Sequence, residues 1–140
     1  MNRTNGTGQY HAVRIGTASP GRLILMLYQG AIKALKRASV LMERKDFEGK
    51  GNALIKAQDI VMELNLALDM NAGDVSVSLR RLYLYVYRRI VEANMEMDKD
   101  AINEVTRILE NLYEAWEVAV GETEGSLQTE RPPTGLSVTG

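Results

Sequence analysis

Residues 78–90 read SLRRLYLYVYRRI. An unbroken apolar and aromatic run, Leu82-Tyr83-Leu84-Tyr85-Val86-Tyr87, stands between the arginine pairs 80–81 and 88–89. As a strand the run would need a partner, and no other segment has strand character. No Asn-Gly or Asp-Gly turn flanks it as a hairpin would require. As a helix, Leu79, Leu82, Tyr83, Val86 and Ile90 fall on one face at spacings of three and four, a sufficient core stripe. The run is therefore read as helix. A remainder stays: at about 100° per residue, Leu84, Tyr87, Val91 and Met95 form a second row about a third of a turn away, bordered by Arg80 and Arg88.

The rest of the chain agrees with a helical reading. From Pro20 to about Arg44, Leu23, Leu27, Ala34, Ala38 and Leu41 share a face, widened by Ile24, Ala31, Leu35 and Met42. Ser19 reads as the N-cap and Pro20 suits the first helical position. The pattern breaks at Asp46, and Gly49 and Gly51 blur the next start. In the second segment Ala53, Ala57, Ile60, Val61, Leu64 and Leu68 form the main face, and the turn residues of "DMNAGD" end it. Ser76 or Asp74 offers a cap for the third segment, and Asp98 or Asp100 for the fourth. The fourth carries one clean stripe, Ile102, Val105, Ile108, Leu109, Leu112, Trp116 and Ala119, with Asn103, Arg107, Glu110, Glu114 and Glu117 opposite. Helices are thus expected over roughly 20–44, 50–69, 76–97 and 100–120. The fold class is all-α, an antiparallel four-helix bundle with room for a short extra helical turn before the first helix. Residues 1–18 form a mobile arm, 19–120 the bundle domain and 121–140 a disordered tail rich in breakers.

Composition narrows the function classes. At 140 residues the chain suits one domain with a real core. A net charge of −1 and 25% charged residues suggest neither a nucleic-acid binder nor a membrane-surface protein. With no cysteine there are no disulfides or thiolate metal sites, and the composition suits a reducing cytosol. No stretch approaches the ~20 apolar residues of a membrane span, and the polar N-terminus has no signal-peptide core. Catalysis has little support. The single histidine, His11, lies in the arm, Glu-x-x-His pairs are absent, and no phosphate-binding or nucleophile-elbow motif occurs. No cofactor or metal is implied, and the chain reads as a non-enzyme.

The second segment repeats the anomaly of the third. Ile55, Met62 and Leu66 line up roughly opposite its main face. A central bundle helix that touches two neighbours has a wide apolar arc, and this covers the Leu84 row. It fits less well for Ile55, Met62 and Leu66, which lie far round. Exposed apolar grooves receive amphipathic helices, so both rows are candidate partner-binding surfaces, two grooves on different sides of the bundle. The arginines at 80, 81, 88 and 89 read first as a solvated or ion-paired face, second as an attraction for an acidic partner.

The blocks TASPGRLILMLYQGAIKAL, LIKAQDIVMELNLALD, YVYRRIVEAN and EAWEVAV, in that order between about Tyr10 and Val120, resemble the flagellar export chaperone family FliS. The resemblance implies an antiparallel helical bundle without enzymatic activity. It implies a cytoplasmic chaperone for the disordered C-terminal segment of flagellin, which becomes helical as it wraps the bundle. Premature polymerisation is thereby prevented and delivery to the cytoplasmic part of the export gate assisted. No nucleic acid and no membrane insertion enter this scheme, and the chaperone would be a monomer or weak homodimer. The family often has an acidic residue three places after its capping Ser or Thr. Arg22 stands there in this chain, which predicts a helix start weaker by roughly 0.3–1 kcal/mol. Tyr10, Val13 and Ile15 are isolated apolar residues of the arm that could cover a groove while no client is bound. The competing function is a scaffolding bundle that homodimerises through its second rows.

Overall fold

A computed structural model of the chain describes residues 19–130, with side chains through Glu124. The described residues are helical apart from short connections: α1 (Pro20–Glu43), α2 (Phe47–Leu66), a 3-10 turn (Met70–Ala72), α3 (Asp74–Glu96) and α4 (Lys99–Glu130). Residues 82–87 lie inside α3. The arm and its extra turn, with Tyr10, Val13 and Ile15, fall outside the described residues, as do residues 131–140.

The helix boundaries follow local chemistry, in places against expectation. Helix α2 starts at Phe47, ahead of both glycines, because Asp46 caps it: its side chain accepts the Gly49 N–H at 3.0 Å. For α3 neither expected residue is the cap. Gly73 occupies that position with φ of 104°, a conformation glycine adopts without strain, while Asp74 is the first helical residue and Ser76 is buried. For α4, Asp98 accepts the Ala101 N–H at 3.1 Å. Helix α3 closes on Met97, which is left-handed at φ 57°.

The chain divides into two compact units. In the larger, Met26–Tyr113, all four helices take part. Lys99 pairs with Glu43, Lys36 with Glu110 at 2.9 Å, and the Gln29 amide donates to the Tyr113 hydroxyl, so α1 and α4 run antiparallel. Lys50 donates to Asn94, which places the start of α2 against the end of α3. The helices therefore alternate up and down. Their interior is filled by Tyr28, Leu35, Leu54, Leu64, Tyr83, Val86, Ile90, Ile102, Val105 and Leu109. Alanines at 31, 34, 38, 53, 57, 93 and 101 are also buried and bring backbones close. The Tyr28 and Tyr83 hydroxyls hydrogen-bond to one another in this core, which satisfies polar atoms that burial would otherwise penalise.

The smaller unit, residues 19–25 with 114–130 among those described, corrects two expectations. Helix α4 does not stop at Val120 but continues to Glu130, into the stretch read as a disordered tail. Gly121 and Gly125 each weaken a helix by only about 1 kcal/mol, and Glu124 gives the extension an anchor. Its carboxylate accepts from the Ser19 hydroxyl at 3.0 Å and from Arg22 Nη2 at 3.0 Å. Ser19 Oγ in turn accepts the Arg22 N–H at 3.1 Å, the normal N-cap bond. The acid missing three places after the cap is thus supplied from residue 124, and Arg22 is its counter-ion rather than an unrelieved cation. Gly21 permits the approach: a Cβ there would lie 2.9 Å from a Val120 methyl.

Candidate functional site

The exposed large apolar side chains are unevenly distributed. Among the described residues, Phe47, Ile55 and Leu66 on α2, Met70 in the turn, Val75, Val77, Leu84 and Met95 on α3 and Met97 at its cap are exposed; elsewhere only Val40 and Val118 are. Nine of these eleven belong to one helical hairpin, α2 and α3 with their turn and cap. Leu66 is 76% exposed, Met95 77% and Ile55 47%, whereas Leu64, two residues from Leu66, is 1% exposed. Exposed leucines or methionines occur singly on most proteins; a collection of them on adjacent helices marks a contact surface.

Helical geometry places the two second rows relative to the line where α2 and α3 meet. Gly51 faces Asn94 there: a Cβ on Gly51 would lie 3.7 Å from Asn94 Oδ1. At about 100° per residue, Met62, Ile55 and Leu66 lie roughly 20°, 40° and 60° from Gly51, turning away from the buried Ala57 and Val61. On α3, Tyr87, Arg80, Val91, Leu84 and Met95 lie about 20° to 100° from Asn94 in the outward sense. That direction is away from Tyr85 and Arg89, which bond to Glu104 of α4. The rows of α2 and α3 therefore flank the outside of a single seam, and the expectation of grooves on different sides of the bundle is corrected. Met62, Tyr87 and Val91 are half-buried, near the floor of the seam. Arg80 borders it, and Arg88, about 120° from Asn94, stands on its outer bank. With 20 residues α2 gives the seam a length of about 30 Å.

Phe47, Met70, Val75 and Val77 were not singled out from sequence. Phe47 and Met97 are exposed at the end where α2 begins and α3 finishes, and Met70 and Val75 at the turn end. Val77, about 100° outward from Asn94, continues the α3 row. Their signal was present only as apolar residues at helix ends, where periodicity has too few turns to assign a face.

Polar contacts hold the hairpin from both sides. Lys50 is buried and its Nζ donates to the Asn94 carbonyl at 3.1 Å and Oδ1 at 2.8 Å. This places a cation at the C-terminal end of α3, where the helix dipole favours it. Across α3 and α4, Glu104 accepts from the Tyr85 hydroxyl at 2.5 Å and from Arg89 Nε at 3.0 Å. The Tyr85 bond and then the Arg89 bond hold the Glu104 carboxyl below the usual carboxylate range. Sharing that carboxylate raises the Tyr85 phenol, and bonds to Glu92 and Glu104 raise Arg89 further. Of the arginines read as a patch, Arg89 thus belongs to an ion-paired network. Beside the seam, the Asn65 amide donates to Met62 Sδ at 3.9 Å while its buried Oδ1 has no hydrogen-bond partner among the described residues. No group of three or more His, Cys, Asp or Glu among the described residues is arranged to hold a metal. No helix among them is long and apolar enough to cross a membrane.

Comparison with known proteins places this geometry in a family. A crystal structure of a flagellar chaperone from bacteria shares the fold with a TM-score of 0.70 over 86% of this chain and 98% of that one, at 20% identity. The flagellar secretion chaperone FliS of Bacillus subtilis is 40% identical over 79% of this chain and 83% of its own. That of Salmonella typhimurium is 43% identical over 71% and 76%. The family pattern described as flagellar protein FliS matches residues 3–123, and the chain belongs to the FliS family.

Proposed function

We propose that this protein is a cytoplasmic export chaperone that binds the disordered C-terminal segment of flagellin. Binding prevents premature polymerisation and assists delivery to the flagellar export apparatus, including the cytoplasmic part of its gate. The observation that carries the reading is the open α2–α3 seam, with Leu66 and Met95 each about three-quarters exposed on the same hairpin. A disordered segment that folds on binding loses conformational entropy and needs a long apolar contact to offset it. A seam of about 30 Å suits about 20 helical residues. Ile55, Met62, Leu66, Leu84, Tyr87, Val91 and Met95 supply the apolar contact, and Arg80 and Arg88 its rim. The action is by binding, with no catalytic group and no cofactor.

Calorimetric titration of the full chain with the C-terminal flagellin peptide tests the reading, together with far-ultraviolet circular dichroism of the mixture. The expected result is saturable binding with a gain of helix and no binding of an N-terminal flagellin peptide. Equal binding of both peptides, or of neither, overturns it. A dimeric mass at micromolar concentration without peptide binding would assign the seam to self-association.

A further inference from the structure

The seams of the larger unit differ in how they close. Between α1 and α4 the outer edge carries the Lys36–Glu110 and Glu43–Lys99 pairs, and between α3 and α4 Arg89 bridges to Glu104. Helices α2 and α3 also present opposite charges on their outer faces, yet they do not pair. Arg80, Arg81 and Arg88 on α3, and Asp59 and Glu63 on α2, are exposed and form no ion pair among the described residues. Helical geometry gives the reason. Asp59 and Glu63 lie about 80° and 120° outward from Gly51, beyond Met62, Ile55 and Leu66; Arg88 and Arg81 lie about 120° and 140° outward from Asn94, beyond Leu84 and Met95, while Arg80, at about 40°, stands within the α3 row with the α2 row between it and the acids. Glu48 belongs to the same acidic bank, and the exposed cation of α2, Lys56, stands farther out still, about 140° from Gly51, while Lys50 is buried on the inner side against Asn94.

We infer that the seam reads the charge polarity of its client: the bound helix carries carboxylates on the flank facing α3 and Lys or Arg on the flank facing α2. This rests on the proposed function and adds the chemistry of the occupant. An amphipathic helix of that polarity places unlike charges along both rims. Reversed end for end, the same helix exchanges its flanks and places like charges on both rims, so the banks select one direction along the groove. A client that was merely acidic would gain from the arginines and be repelled by the α2 bank.

The test reverses each bank separately in the full chain. One variant combines Arg80→Glu, Arg81→Glu and Arg88→Glu, and the other Asp59→Lys and Glu63→Lys, with melting curves taken to verify folding. Neutral versions, Arg→Gln, Asp→Asn and Glu→Gln, at the same positions give smaller losses of the same sign. Association with the C-terminal flagellin peptide is timed at about 0.01 M and about 1 M salt, where screening lengths are about 30 Å and 3 Å. Both reversals are expected to slow association at least about tenfold at low salt, with the difference vanishing at high salt. An α2 reversal that leaves binding unchanged or tightens it overturns the inference, because the client is then simply acidic. An α3 reversal without effect overturns it too, because the bank is then not read. Either result leaves the chaperone reading standing if the unaltered chain still binds; failure of the unaltered chain overturns both.

Discussion

Leu64 and Leu66 differ in direction and little else. Both lie in the last turn of α2, but Leu64 is 1% exposed and Leu66 76%. Leu64→Asp removes a buried leucine, about 1.5–3 kcal/mol, and desolvates a carboxylate with no partner, several kcal/mol more. The sum approaches or exceeds the 5–15 kcal/mol that holds an ordinary domain together, so most of the protein should be unfolded at ambient temperature. Leu66→Asp buries nothing in the free protein. Its cost is weaker helix propensity and an anion near a helix C-terminus, together about 1 kcal/mol, or a Tm lower by about 3–5 °C for a domain of this size. In the complex the Leu66 side chain would be covered. Losing about 1.5–3 kcal/mol of burial weakens the flagellin peptide about 10- to 100-fold before any desolvation of the new carboxylate. Thermal melts of both variants and titration of the peptide into Leu66→Asp check this. If the two melt alike, Leu66 is core and the seam is misassigned. If Leu66→Asp folds and binds normally, the client does not reach the turn end of the seam.

Other consequences follow from the polar contacts. Lys50→Met should lower stability by about 1–3 kcal/mol in urea titration, because both Asn94 acceptors lose their buried donor. Asn65→Leu should raise the Tm of the free protein, since it removes the buried, unpartnered Oδ1 beside Met62. Glu104 and Glu124 both sit below the ordinary value of 4.5, Glu104 mainly through Tyr85 and Glu124 mainly through Arg22. The unfolded chain then takes up protons first as pH falls, so the stability these groups contribute is present above that value and lost below it. Melts from roughly pH 6 to roughly pH 3 should show a shallower decline for Glu104→Gln than for the unaltered chain. Truncation after Gly121 should lower the Tm, by removing the Glu124 contact with Ser19 and Arg22.

The helices were readable because their core stripes recur over several turns, and α3 could be recognised once Tyr83, Val86 and Ile90 were placed on one face. The seam was only half readable. Periodicity identified Ile55, Met62 and Leu66 as a row set apart from the core, but a helical period has no knowledge of neighbours. Whether this row joined the Leu84 row depended on the Lys50–Asn94 contact, which links residues 44 positions apart. The same limit hid the end of α4. Residues 121–124 have glycine and too few apolar residues to announce a helix, and the partner that holds Glu124 is 102 positions away at Arg22. Caps were readable where a side chain acts locally, as at Ser19 and Asp98, and missed at Gly73, where the backbone conformation itself begins the helix.

An open apolar surface raises the question of how α2 and α3 stay paired without an occupant. The answer lies in residues other than those of the seam. Their inner faces bury the small side chains of Ala53, Ala57 and Ala93, and Leu54, Val61, Leu64, Val86 and Ile90 fill the interior. Lys50 and Asn94 join the hairpin at the end opposite its turn. Core and seam thus draw on different sides of the same two helices. Substitutions in the outer rows can therefore change client binding with little change in folding, because the contacts that stabilise the free protein do not pass through them. The half-buried Met62, Tyr87 and Val91 are the exception, since each contributes to both surfaces. A change such as Tyr87→Ala should lower both the Tm and the affinity, whereas Met95→Ala should lower affinity alone, and the pair of measurements locates the boundary between fold and function on α3.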